Sequence, residues 1–118
     1  MKLLIVDDSL IMRKAVERSL AEKNFTIAGM AGDGAEGLRI FKETLPDLVT
    51  LDISMPKMDG LTCLTEMLKV KKDAKILMIS SQTDSATAED VIAKGAAGIL
   101  GKPFTTAQLI EKVNEILG

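Results

Sequence analysis

Three short apolar runs, Leu3 to Val6, Leu48 to Leu51 (interrupted only by Thr50) and Ile76 to Ile79, govern how this sequence can fold. Each is partly β-branched and too short for a helix, so each reads as a strand. An uninterrupted apolar run, without alternation, is what a strand covered on both faces of a parallel sheet requires. Between and after these runs, apolar residues recur at helical spacing: Met12, Val16, Leu20; Leu38, Phe41, Leu45; Leu61, Leu64, Leu68; Ala88, Val91, Ile92; and Leu109, Val113, Ile116. Five amphipathic helices are predicted.

Two weaker strand candidates, Phe25 to Met30 and Gly98-Ile99-Leu100-Gly101, complete an alternation of strand and helix. Thr105 with Gln108 makes a capping-box pair before the last helix, and Gly60 and Gly95 sit at helix edges. The expected fold is α/β: a doubly wound five-stranded parallel sheet with helices on both faces. The continuous runs should be central and the two weaker strands edges, an arrangement satisfied by the order 2-1-3-4-5. Right-handed crossovers then reverse the winding between strands one and three, where ligands bind in open α/β sheets.

The 118 residues have the size of a single domain, expected to span 1–118 with no output domain. A net charge of −2 gives no positive field for a phosphate backbone, so nucleic acid is not an expected partner. One cysteine, Cys63, and the lack of a cleavable or membrane-spanning apolar segment make the cytoplasm the expected location, without membrane insertion. The chain has no His, Trp or Tyr. Ser-His-Asp and Cys-His catalysis, phosphohistidine carriage by this chain, and His-ligated zinc or haem are therefore excluded.

Chemistry must fall to carboxylates, Lys and hydroxyls. Asp7 and Asp8 follow the first strand at once, and Asp52 follows the third, so all three converge on the expected crevice. Like charges at 4 Å repel by ~4 kcal/mol at an effective dielectric near ~20, so a cation is expected among them. Oxygen-only ligands in a small open pocket suit magnesium better than a closed calcium cage. Asp is also common as a helix cap and at a loop start, so Asp8 and Asp52 each have a structural alternative. Ser80 and Lys102 follow the fourth and fifth strands on the same edge. Each has a structural alternative too, Ser80 and Ser81 as turn residues and Lys102 as a solvated charge. Together the set outlines a phosphate site: Asp52 can attack a phosphoryl group, a metal and Lys102 can neutralise its oxygens, and Ser80 can donate a hydrogen bond.

Asp7-Asp8-Ser9, Asp52 through Gly60 (DISMPKMDG), Ser80-Ser81 and Lys102-Pro103-Phe104, in that order, make the whole chain resemble a response-regulator receiver domain, most closely the stand-alone chemotaxis members. The resemblance implies a flavodoxin-like (βα)5 fold and two-component signalling. It implies that Asp52 is the phosphoacceptor, served by a sensor histidine kinase or small acyl phosphates. Mg2+, with Mn2+ as a substitute, would be held by Asp8, Asp52 and the Ser54 carbonyl, with Asp7 acting mainly through water. Lys102, placed by a cis bond to Pro103, would pair with the phosphoryl group, and Ser80 would swing in to bond it. The responding face would involve Val91, Lys94, Ile99 and Gln108. Switch and tuning positions would be Ser54, Ser81, Gln82, Pro103 and Ile99, the last standing where relatives usually have Tyr or Phe. The chain would be a self-phosphorylating regulator and a monomer, not an enzyme in the ordinary sense. Its target would be a protein: a flagellar motor switch, or a phosphotransfer protein in a multistep phosphorelay.

Three other readings compete. A flavodoxin-like FMN module would place phosphate beside Asp7-Asp8, which repel it, and would stack flavin on aromatics that are nearly absent. An Asp-nucleophile phosphohydrolase would carry Asp-x-Asp and a cap domain. A P-loop fails because Gly95 lies one residue too far from Gly101-Lys102 and Pro103 stands where Ser or Thr is needed. Met12, Met30, Met67 and Met78 read as core fillers. Met55 and Met58 are loop residues beneath the site, and Cys63 is a small apolar helix residue. Arg13, Lys14, Glu17 and Arg18 read as a solvated face of the first helix, with kinase docking there as the functional alternative.

Overall fold

Five strands alternate with five α-helices among the described residues, 1–81 and 85–118 of the computed structural model. In chain order these are β1 (Lys2–Val6), α1 (Leu10–Ser19), β2 (Thr26–Ala31), α2 (Gly34–Thr44), β3 (Leu48–Asp52), α3 (Gly60–Val70), β4 (Ile76–Ser80), α4 (Ser85–Ala93), β5 (Gly98–Gly101) and α5 (Thr106–Leu117). The strands form one parallel sheet in the order β2-β1-β3-β4-β5. The apolar runs are the interior strands, as expected. All five residues of β3 and of β4 are buried, as are four of the five in β1.

Alternate strand residues feed two separate apolar clusters on opposite faces. Leu4, Val6, Val49, Leu51, Ile76 and Met78 pack with Phe41, Leu64, Met67 and Val91 of α2, α3 and α4. Leu3, Ile5, Leu48, Leu77 and Ile79 pack with Val16, Leu109 and Val113 of α1 and α5. Each fully buried Leu, Ile or Phe contributes about 1.5–3 kcal/mol, while the edge strands β2 and β5 are mostly only half-buried. Every helix whose start is fully described begins on a side-chain cap: Ser9, Asp33, Asp59 and Thr105. The Thr105–Gln108 capping box is complete, with Thr105 N–H donating to Gln108 Oε1 at 2.8 Å and Gln108 N–H to Thr105 Oγ1 at 3.1 Å.

The differences from the sequence reading are local. A 3₁₀ turn (Ala21–Lys23) follows α1, and Asn24 takes a left-handed φ of 59°, so β2 begins at Thr26 rather than Phe25. Leu45 leaves α2 with φ 45° and is 47% exposed, because the following Pro46 disfavours helical backbone at the residue before it. On α4, among the described residues, only Val91 is fully buried. Ile92, one position and about 100° further round, is 48% exposed. Met67 and Met78 are core residues as expected, while Met30, Met55 and Met58 pack at the margins.

Candidate functional site: an acidic pocket at the strand tips

Four strand ends deliver the residues of the pocket. Asp7 and Asp8 leave β1, Asp52 is the last residue of β3, Ser80 the last of β4, and Lys102 follows β5. Asp52 and Ser80 thus lie inside their strands rather than just past them, and both are buried, at 5% and 3% exposure. Ser9, not Asp8, caps α1: its hydroxyl accepts the Met12 N–H at 3.2 Å. Asp8 is thereby free of the capping role and stands exposed at the mouth of the pocket.

Oxygens from Asp7, Asp8 and Asp52 all lie within 4.8 Å of one another. The Lys102 ammonium enters between two of them, 3.1 Å from Asp7 Oδ2 and 3.4 Å from Asp52 Oδ1. Three carboxylates against one ammonium leave two negative charges, which one divalent cation would cancel. An all-oxygen donor set open to solvent on one side suits a hard ion that keeps some of its water, so the residues present fit Mg2+.

Asp7 is bonded at four points. Its N–H donates to Ala31 C=O at 3.0 Å, and its C=O accepts from Arg13 Nη1 at 2.6 Å. Its Oδ1 accepts Ser9 N–H at 2.9 Å, and its Oδ2 accepts from Lys102. Both carboxylate oxygens are therefore already engaged, in contrast to Asp8. Burial, and then the neighbouring Asp7, push the Asp52 carboxyl above the usual carboxylate range, against the pull of Lys102. Burial alone would lower Lys102, but its hydrogen bond to Asp7 and the fields of Asp7 and Asp52 prevail and hold it above the usual lysine value.

The loop from Ile53 to Asp59 is folded back under Asp52. Met58 N–H donates to Pro56 C=O at 2.7 Å around Lys57, whose φ is 68°, the strained hand of a γ-turn. Gly60 N–H donates to Ile53 C=O at 2.7 Å, and a Cβ at Gly60 would stand 2.2 Å from the Asp52 carbonyl oxygen. Only glycine permits that approach. Ser54 is exposed in this loop and Ser81 is exposed after β4, while Gln82 lies outside the described residues. The Lys102–Pro103 bond is cis, and Pro103 is exposed. Ile99, on β5, is partly buried against the cluster of α2, α3 and α4.

The structure thus brings Asp7, Asp8, Asp52 and Lys102 into one pocket, with Ser80 on the adjoining strand and Ile99 one strand further out. Sequence reasoning missed Arg13. It was assigned to a solvated face, whereas its guanidinium turns back onto the Asp7 carbonyl. The one available signal was its position four residues after the Ser9 cap, since helical side chains lean toward the N-terminus.

A family model described as the response regulator receiver domain matches residues 3–114. The chain belongs to that family. This receiver domain is 37% identical over 116 residues to the chemotaxis protein CheY of Bacillus subtilis (strain 168), covering 98% of this chain and 97% of the relative. It is 34% identical to CheY of Thermotoga maritima over 115 residues, covering 98% of this chain and 96% of that one. Among solved structures, a chain of the CheX-CheY-BeF3-Mg+2 complex from Borrelia burgdorferi superposes with a TM-score of 0.96 at 35% identity, covering 100% of this chain and 90% of that one. The sheet order is the doubly wound order of which CheY is itself a standard example. The receiver domain is therefore that of a CheY-like response regulator of two-component signalling. No described helix is long and apolar enough to cross a membrane.

Proposed function

We propose that this receiver domain is a Mg2+-dependent phosphoacceptor that takes a phosphoryl group on Asp52 from the phosphohistidine of a sensor histidine kinase, in a chemotaxis pathway. The observation that carries the reading is the Lys102 ammonium 3.4 Å from Asp52, in a pocket shared with Asp7 and Asp8. Asp52 Oδ attacks phosphorus as the P–N bond to the donor imidazole breaks, and the leaving nitrogen takes its proton from solvent. Lys102 offsets charge on the transferring oxygens, and the Ser80 hydroxyl donates to one of them. Asp8, Asp52 and the Ser54 carbonyl would hold Mg2+, or Mn2+ in its place, with Asp7 in an indirect role. When bound, the ion supplies the remaining neutralisation of phosphoryl charge. Asp7's two engaged oxygens support its indirect role. No protein base is required, which suits a chain without His, and the same pocket later hydrolyses the acyl phosphate.

Phosphorylation adds about −1.5 to −2 charges and three acceptor oxygens. Ser80, Ser81, Gln82, Pro103 and Ile99 carry that change toward the face formed by α4, β5 and α5, where a downstream protein binds. Leu10 and Ile11, 58% and 80% exposed beside Asp8, offer apolar contact to the kinase. The domain acts as a monomer in the cytoplasm. Its likeness to CheY favours a chemotaxis target, whereas Ile99, in place of an aromatic switch, favours a phosphotransfer protein in a multistep relay.

Acetyl or carbamoyl phosphate with Mg2+ is expected to add one phosphoryl group, read by intact-mass spectrometry, and Asp52→Ala should abolish it. A mass shift that survives in the variant places the acceptor elsewhere.

A further inference from the structure

Asp8 owes its position to its backbone. It is exposed, and among the described residues its carboxylate takes no hydrogen bond, yet its oxygen lies within 4.8 Å of those of Asp7 and Asp52. Something must hold the peptide that launches it. That peptide is the one joining Asp7 to Asp8, and its carbonyl is the oxygen to which Arg13 Nη1 donates at 2.6 Å. The peptide before Asp7 is fixed separately, by its N–H to Ala31 C=O.

Arg13 is itself well placed for this task. Its N–H donates to Ser9 C=O at 3.0 Å, so its backbone belongs to the first turn of a capped helix. Its side chain returns along the axis toward the N-terminus, as helical side chains do. The guanidinium lies against the turn after β2, where a Cβ at Gly32 would stand 3.3 Å from Nη1. It thus spans the β1 and β2 tips from α1 while contacting no carboxylate oxygen among the described residues.

We infer that Arg13 is a positioning residue for the divalent-ion pocket: by holding the Asp7–Asp8 peptide it sets the Asp8 carboxylate against that of Asp52. The inference rests on the Mg2+ reading above. It also makes a prediction opposite in sign to that of a simple charge effect. A cation acting only through its field repels Mg2+, so removing it should tighten binding. A cation that orients a ligand should, when removed, weaken binding by the amount typical of a lost outer-shell partner, about tenfold or more.

The test is isothermal titration of the full chain with MgCl2 at constant ionic strength, on the wild type, Arg13→Met and Arg13→Lys, with thermal melts by circular dichroism in the absence of Mg2+. Met keeps the apolar stem and removes the donor, whereas Lys keeps both the charge and a donor. We expect Arg13→Met to bind Mg2+ at least tenfold more weakly and Arg13→Lys to recover most of the loss. Should Arg13→Met fail to melt cooperatively, Arg13→Gln takes its place with the same expected loss, its shorter amide falling short of the carbonyl. Unchanged or tighter Mg2+ binding in the folded neutral variant, or equal weakness in Arg13→Lys, overturns the inference. A wild-type chain that binds no Mg2+ overturns the underlying reading as well, and so is told apart from failure at Arg13 alone.

Discussion

The ammonium of Lys102 and the carboxylate of Asp52 stand 3.4 Å apart at the tips of non-adjacent strands, at 21% and 7% side-chain exposure. A cation held there is the internal counter-charge of the pocket. In Lys102→Met that counter-charge is gone, and stability at pH 7 should fall by about 2 kcal/mol, less than a fully buried pair would cost.

The pH dependence of that variant has a definite sign. The folded protein keeps the Asp52 proton to higher pH than the unfolded chain, chiefly through burial and Asp7. Its contribution to stability is therefore intact below the ordinary value of 3.8 and is lost as pH rises through the raised folded value. Without Lys102 to oppose the shift, the loss as pH rises above the ordinary carboxylate range should be larger than in the wild type, and added Mg2+ should reverse part of it. Urea melts followed by far-UV circular dichroism check this; parallel pH profiles for the two proteins would refute it.

Gly60→Ala should damage the site directly. The new Cβ would meet the Asp52 carbonyl oxygen at 2.2 Å and Ile53 Cα at 2.6 Å, so backbone at Asp52 must move. A loss of about 2–3 kcal/mol is expected, with weakened Mg2+ binding. Gly98→Ala is the control, because its nearest neighbours would be side-chain atoms at 3.4–3.7 Å. Equal effects from the two substitutions, in melts and titrations, would contradict the assignment.

Lys57→Gly should stabilise the domain. Lys57 holds a left-handed φ of 68°, and its one ion pair among the described residues, with Asp33 at 3.7 Å, leaves the lysine side chain 73% exposed. Relief of the strain outweighs that pair and the greater freedom of an unfolded glycine, for a net gain of about 0.5 kcal/mol. A lower melting temperature in the variant would count against the strained turn.

Cys63 should be inert in the native state. It is fully buried, and burial, followed by the fields of Asp33 and Asp59, pushes its thiol up to about 12. Iodoacetamide at pH 8 should label the urea-unfolded chain quickly and the native chain hardly at all. Its stabilising contribution is intact below the ordinary thiol value of 9.0 and declines as pH rises from there toward about 12. Rapid native labelling would show that α3 opens readily.

The sheet and its order were legible because Leu3 to Val6, Leu48 to Leu51 and Ile76 to Ile79 must be covered on both faces, and few topologies allow three such strands. The positions of Asp7, Asp8, Asp52 and Lys102 followed, since a residue ending a parallel strand has only one sheet edge to occupy. Arg13 was not legible in this way. Whether a helical Arg points to water or folds back depends on the height of the neighbouring turn, which no spacing records. The outward placement of Ile92 and the departure of Leu45 from α2 were hidden for a related reason: apolar character marks a residue that can be buried, not one that is.

The paired clusters on either side of the sheet have one more consequence. Ile99 and Leu100 are consecutive, yet one packs with the α2, α3 and α4 side and the other with the α1 and α5 side. Main chain walls the two interiors off from each other, so substitutions made in opposite layers should combine additively. The α1–α5 side can thus be hardened by mutation without disturbing the packing of α2, α3 and α4. A domain built this way can change its mechanical temper on one flank without retuning the other.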